Sequence, residues 1–155
     1  MATQYTAGLT TGQVLTSATM NSIGAGQETY TPAWTSTGTQ PALGNGQLSA
    51  TYTRINKLVF VNMFLLVGST TTFGTGNYRL SLTFSCGTGL PTIGFGTLSD
   101  ASAGYLAYHT SLIVSSTSTT FEIYFTQAIT PFGPTVPITL AVNDQLRLSL
   151  ILQAT

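Results

Sequence analysis

Few side chains in this sequence could do acid–base chemistry, and they are widely spaced. His109 is the single histidine, and a nucleophile relay would have to combine it with Asp100 and a serine. Such a relay needs an exposed serine on a sharp turn beside the base, and no serine here has the sequence context of a nucleophile elbow. Glycoside cleavage needs two converging carboxylates, and strand alternation points Glu122 outward. The sequence therefore predicts no enzymatic activity and no catalytic residue.

Metal, phosphate and thiol chemistry have equally little support. One histidine, one cysteine and four dispersed carboxylates do not cluster as ligands within a chain, although a symmetry axis could collect one ligand from each subunit. The loop GSTTTFGTG, residues 68–76, lacks the lysine and following helix of a phosphate cradle, so we predict a tight strand connection. Cys86 is alone, which excludes an intrachain disulfide, and we expect it to be buried and inert. We expect no cofactor, no metal and no small-molecule substrate.

The composition limits the partners of the chain. Charged residues make up 5% of its 155 residues, and the formal net charge is zero. Nucleic acid is not expected as a partner, because its binding needs a basic patch. No apolar run reaches the ~20 residues of a membrane span, and the first residues lack the pattern of a secretion signal. A neutral surface gives little electrostatic protection against self-association, which suits a subunit of an assembly.

Residues 30–155 are predicted to form one domain of about eight strands separated by Gly and Pro. In the last strand Leu146, Leu148, Leu150 and Leu152 share one face. The glycine-rich stretch 87–96 is predicted to be an irregular connection. Trp34 either closes one end of the core or stacks on a sugar at the surface. This pattern predicts an all-β fold, an antiparallel jelly-roll-like β-sandwich.

The stretch KLVFVNMFLLV, residues 57–67, is apolar on both faces of an extended strand. A strand with one wet face alternates apolar and polar residues, so this one needs cover on both sides. We expect a second copy of the chain to cover one of them. The predicted oligomer contacts are Val59, Val61, Met63, Leu65 and Tyr124.

Residues 1–29 are predicted to form an extended N-terminal arm outside the core. Thr16 is placed to cap a short helix over residues 17–23, which Gly24 and Gly26 would end. So short a helix is not stable alone and needs a surface to dock on. The predicted partner-binding residues of the arm are Val14, Leu15, Met20 and Ile23.

Three stretches in the first half of the chain carry a resemblance to a known family. They are GQVLTSATMNSI, then YTPAWTSTGTQPALGNGQLSATYTRINKLVFV, then GSTTTFGTGNYRLSL, all within residues 13–82. Together they resemble a family of virion structural proteins of tailed bacteriophages, of the actinobacteriophage type. Asn56 stands where the turn of that family often has glycine.

This resemblance implies a capsid decoration (minor capsid) protein, or the related domain of tail fibres, commonly a homotrimer. Its partners would be further copies of itself and the major capsid protein or another virion protein. It would be made in the host cytoplasm and located in the virion. No fibre shaft precedes the strands, which favours the decoration protein. The alternative is a receptor-binding module of the tail that reads host cell-surface glycans, with Trp34, Tyr105 or Tyr108 as stacking platforms.

Overall fold

Alternating apolar residues place the strands of this chain in two antiparallel sheets. The structure, a computed structural model, describes residues 14, 16, 17, 26–55, 57–86, 93–110 and 119–155. Within these ranges the strands are β1 (Glu28–Tyr30), β2 (Trp34–Ser36), β3 (Gln47–Ile55), β4 (Leu58–Leu66), β5 (Tyr78–Ser81), β6 (Ile93–Asp100), β7 (Leu106–His109), β8 (Thr120–Phe121) and β9 (Gln145–Gln153). A six-stranded sheet has the order β1-β3-β4-β9-β6-β7, and a three-stranded sheet has the order β2-β5-β8. The predicted all-β fold with two antiparallel sheets is confirmed.

The centre of the larger sheet is formed by β3, β4 and β9. β3 and β4 pair as an antiparallel hairpin, with Ile55 opposite Leu58 at one end, and β4 pairs with β9 along its whole length. On the inner side Ala50 lies opposite Met63, and Met63 lies opposite Leu148. The four leucines predicted to share a face of the last strand are all buried there. These alternating side chains form one wall of a single core.

The smaller sheet and the segments beside it supply the aromatic wall of the core. Trp34 is buried and packs edge-to-face on Tyr78, with ring centroids 5.0 Å apart. Tyr78 in turn contacts Phe132, also at 5.0 Å. Such edge-to-face pairs are favoured by the ring quadrupoles. Trp34 therefore closes the core, and its alternative interpretation as a sugar-stacking residue is wrong.

The first four residues of β6 fall in the stretch predicted to be irregular, and this strand lies between β9 and β7. Gly96, one of the glycines that suggested a loop, is needed within this strand. A Cβ at Gly96 would lie 2.3 Å from the carbonyl oxygen of Arg147 and 2.6 Å from the side chain of Leu148. The sequence prediction was wrong here because glycine in a strand marks a close approach as well as a break.

The boundary between the predicted arm and the domain shifts by two residues. Glu28 and Thr29, assigned to the arm from the sequence, belong to β1 at the edge of the larger sheet. Of the residues predicted to bind a partner, Val14 is described and is exposed. Leu15, Met20 and Ile23 lie outside the described residues, as does most of the predicted helix, so the contacts of the arm stay predictions.

The structure corrects the predicted oligomer interface. The side chains of Val59, Val61, Met63 and Leu65 are at most 4% exposed and belong to the core of the single chain. They cannot contact another subunit, because the smaller sheet and its neighbouring segments already cover this face of β4. Tyr124, the fifth residue of that prediction, is half-buried beside Pro131, and its role at an interface stays a prediction.

Candidate functional site

The opposite face of β4 lies on the outside of the larger sheet. Phe60 faces outward between Thr53 of β3 and Ile151 of β9, and Leu58 lies opposite Ile55. Ile55, Leu58 and Phe60 are between 38% and 51% exposed. These three residues and the half-buried Ile151 are called here the apolar corner. One face of β4 therefore lacks cover within the chain, as predicted. It is the face of Leu58 and Phe60, whereas the prediction named the face of Val59 and Val61.

A polar group occupies the diagonally opposite corner of the same outer face. The register aligns Phe64, Arg147, Thr97 and His109 in a row across β4, β9, β6 and β7. The guanidinium carbon of Arg147 lies 5.1 Å from the ring centroid of Phe64, which is a cation–π contact.

Two further side chains complete this corner. Phe95 is 64% exposed and lies opposite Ser149. The Ser149 hydroxyl donates to the side-chain oxygen of Asn62 at 2.7 Å. The set Phe95, Thr97, His109, Arg147 and Ser149 is called here the Arg147 corner.

Two depressions meet at the Arg147 corner. One, of about 500 Å³, extends toward β3 and is lined by Thr51, Asn62 and Phe64 among others. The second, of about 310 Å³, extends toward β7 and is lined by Phe95 and His109 among others. Arg147 and Ser149 line both. The outer face therefore offers a concave surface with one cation, hydroxyl groups and an exposed ring.

The structure does not assemble the relay considered from the sequence. His109 lies opposite Thr97, while Asp100 lies opposite Leu106, so their side chains point to different faces of the sheet. Asp100 instead accepts hydrogen bonds from the hydroxyl and N–H of Ser102 at 2.6 and 2.9 Å. The Ser102 hydroxyl, together with nearby backbone N–H groups, lowers the pKa of Asp100 below its usual value.

The other three carboxylates each have a separate structural partner. Glu28 accepts a hydrogen bond from the Tyr52 hydroxyl at 2.6 Å, which raises the pKa of Tyr52. Glu122, predicted to point outward on its strand, is buried and accepts a hydrogen bond from Arg79 Nε at 2.9 Å. Asp144 is buried and accepts two backbone N–H groups. No two of these groups form the carboxylate pair of a glycosidase.

The loop GSTTTFGTG closes against residues 37–46, and the two segments are called here the loop pair. Thr75 accepts a hydrogen bond from the N–H of Thr39 at 2.9 Å. The Thr71 hydroxyl donates to the carbonyl of Leu43 at 2.6 Å, and Asn45 accepts from the N–H of Thr70 at 2.9 Å. The polar groups of the motif are thus engaged within the chain, as the predicted tight connection requires.

Three further observations concern metals, thiols and membranes. Among the described residues, no group of three or more His, Cys, Asp or Glu side chains could hold a metal ion. Cys86 is buried, as predicted, and its burial raises the pKa of the thiol. Within the described ranges no helix has the length and apolar character needed to cross a membrane.

The fold is a two-sheet antiparallel β-sandwich whose larger sheet has an outer face with apolar and polar side chains. Comparisons with family models, with curated proteins and with solved structures found no match to this chain.

The sequence reasoning missed Phe95, Thr97 and Arg147 as surface residues of one site. The available signal was the alternation in residues 95–99, where Leu98 is buried between outward-facing Thr97 and Ser99. Two neighbouring glycines concealed that alternation.

Proposed function

We propose that this protein is a structural subunit of a virion that associates with copies of itself through the apolar corner. The observation that supports this most directly is the exposure of Ile55, Leu58 and Phe60 side by side on the outer face. A large contiguous apolar patch at a protein surface is typical of a contact with another molecule. A chain with zero net charge also lacks the repulsion that would keep its copies apart.

In its specific form, the protein is a capsid decoration protein, a homotrimer that binds the major capsid protein or another virion protein. This part rests on the family resemblance of residues 13–82. We also propose that the two sheets are arranged as a jelly roll. This arrangement is supported by a chain that passes from the larger sheet to the smaller one and back after β4 and again after β7. The function is mechanical: the apolar area buried between subunits and shell stabilises the particle.

A stable interface buries about 800 Å² on each partner. Four side chains cover less than that, so the contact extends to their neighbours. Thr53 lies beside Phe60 on the outer face, and Lys57 and the β3–β4 turn border the corner. The N-terminal arm, with Val14, Leu15, Met20 and Ile23, is proposed to supply the contact to the shell.

The first test is a substitution in the apolar corner. Phe60→Ser should convert the trimer to monomer at micromolar concentration in sedimentation velocity. An aromatic side chain at the centre of an interface contributes about 2 kcal/mol, or about 30-fold in the association constant. Ile129→Ser is the control, because Ile129 is a fully exposed apolar residue outside the six-stranded sheet. A monomeric wild type, or a trimer unaffected by Phe60→Ser, would contradict the proposed association.

The second test concerns the arm. Deletion of residues 1–25 ends before β1 and should leave the strands and the oligomer intact. The truncated protein should fail to attach to capsids that lack the decoration protein, as measured by co-sedimentation with the particles. Normal attachment of the truncated protein would show that the arm is not the anchor. Binding to host cells instead of capsids would favour the tail-appendage alternative.

A further inference from the structure

The Arg147 corner has an uncompensated positive charge. By strand register Arg147 is the one side chain with a permanent charge on the outer face of the larger sheet, counted over the described residues. The salt bridge that those residues form joins Arg79 and Glu122, so no described carboxylate pairs with Arg147. An arginine fork in this position is suited to bind a carboxylate from another molecule with two hydrogen bonds.

The groups around Arg147 indicate what else the ligand carries. The ring of Phe95 is 64% exposed and forms one wall of the smaller depression. Thr97, His109 and Ser149 line the same depression, and the Ser149 hydroxyl, which donates to Asn62, keeps its acceptor lone pairs. An exposed ring packs against the C–H face of a pyranose, while hydroxyl and imidazole groups can bond its hydroxyls.

We propose that the Arg147 corner binds a carboxylate-bearing sugar, with Arg147 on the carboxylate and Phe95 against the sugar ring. The depression of about 310 Å³ lies at the small end of the ~300–1,000 Å³ range of ligand pockets, which fits one sugar residue. Nucleic acid does not fit, because a single arginine cannot neutralise a run of phosphates.

This site and the proposed subunit contact occupy different parts of the outer face. Strands lie ~4.8 Å apart and residues rise ~3.3 Å along them, so the centres of the two corners are about 15–20 Å apart, while Ile151 and Ser149 are neighbours on one face of β9 where the corners adjoin. The inference therefore goes beyond the proposed function and stands independently of it. A trimer joined at the apolar corners would present three sugar sites.

The test measures binding of D-glucuronate to the full-length protein by calorimetry and by shifts of the backbone amide signals of Thr97 and Arg147. D-glucose has the same ring without the carboxylate, and acetate has the carboxylate without the ring. We expect glucuronate to bind at least about tenfold more tightly than either, since hydrogen bonds to a charged group and ring contacts both contribute.

Two exposed residues can be changed without affecting the core. Arg147→Gln should weaken glucuronate binding about tenfold or more and leave the weak binding of glucose unchanged. Phe95→Ala should weaken both sugars and leave acetate unchanged. Lys57→Gln is the matched control for sugar binding, since it removes a cation outside the Arg147 corner; because Lys57 borders the proposed subunit contact, its oligomeric state is measured separately.

Three results would overturn the inference. The first is equal binding of glucuronate and glucose, and the second is binding of acetate as tight as that of glucuronate. The third is an equal loss of binding in Lys57→Gln and Arg147→Gln, which would show a general charge effect. Sedimentation of the same samples reports the oligomeric state separately, so a failure here is distinguishable from a failure of the proposed self-association.

Discussion

Replacing Gly74 by alanine is expected to destabilise the fold by about 2–4 kcal/mol. Gly74 has φ +60°, a left-handed conformation that costs an L-residue roughly 1 kcal/mol or more. The added Cβ would also lie 2.0 Å from the carbonyl oxygen of Thr39. Because that atom belongs to the backbone, the loop pair must move apart, at a further cost typical of overpacking, ~1–3 kcal/mol.

Thermal unfolding followed by circular dichroism measures this effect. For a chain of this length each kcal/mol lowers the melting temperature by roughly 2–4 °C, so the expected decrease is about 5–15 °C. The control is Gly104→Ala. Gly104 has a similar φ of +68°, and a Cβ added there would have no atom within 4 Å. We expect that variant to lower the free energy of unfolding by about 1 kcal/mol, because only the left-handed backbone conformation is unfavourable there. Equal losses in the two variants would show that the loop pair is not a tight packing contact.

Asp144→Ala is expected to cost about 3–5 kcal/mol, the largest single effect outside the apolar core. The buried carboxylate accepts the N–H of Ala101 at 2.9 Å and the N–H of Ala141 at 2.8 Å. Its own carbonyl accepts the N–H of Val67 at 3.0 Å. Asp144 therefore joins the turn after β6, the end of β4 and the segment that leads into β9. Alanine would leave two N–H groups without their charged acceptor, each worth ~1.5–3 kcal/mol.

The matched control is Asp100→Ala, since among the described residues the Asp100 carboxylate accepts hydrogen bonds from Ser102 and Ala103 of its own turn only. We expect a much smaller loss there, because this carboxylate is exposed to water and its partners lie within one turn. Asp144→Asn should be intermediate in urea unfolding, because an amide keeps one acceptor oxygen and presents donors to the second N–H. A loss in Asp144→Ala no greater than that in Asp100→Ala would contradict the joining role.

The candidate site was only partly predictable, and β4 shows why. Its sequence has two apolar faces, from which we predicted that the chain alone leaves one of them uncovered. The exposure of Leu58 and Phe60 agrees with that prediction. Periodicity assigns residues to two faces but does not say which face meets the second sheet. Val59 and Leu65 were for that reason assigned to a subunit contact, although they lie in the core.

The sequence by itself determined the all-β class, the β3–β4 hairpin, the inner face of β9, and the absence of a sequence pattern for catalysis. These follow from local periodicity, turn chemistry and residue types, which act between neighbours in the chain. Only the tertiary structure decided that β6 enters the larger sheet and that Arg147, Thr97 and His109 form a row. Such a row depends on the register of Thr97 with Arg147, which is 50 residues away in the chain, and register is set by how the whole core packs.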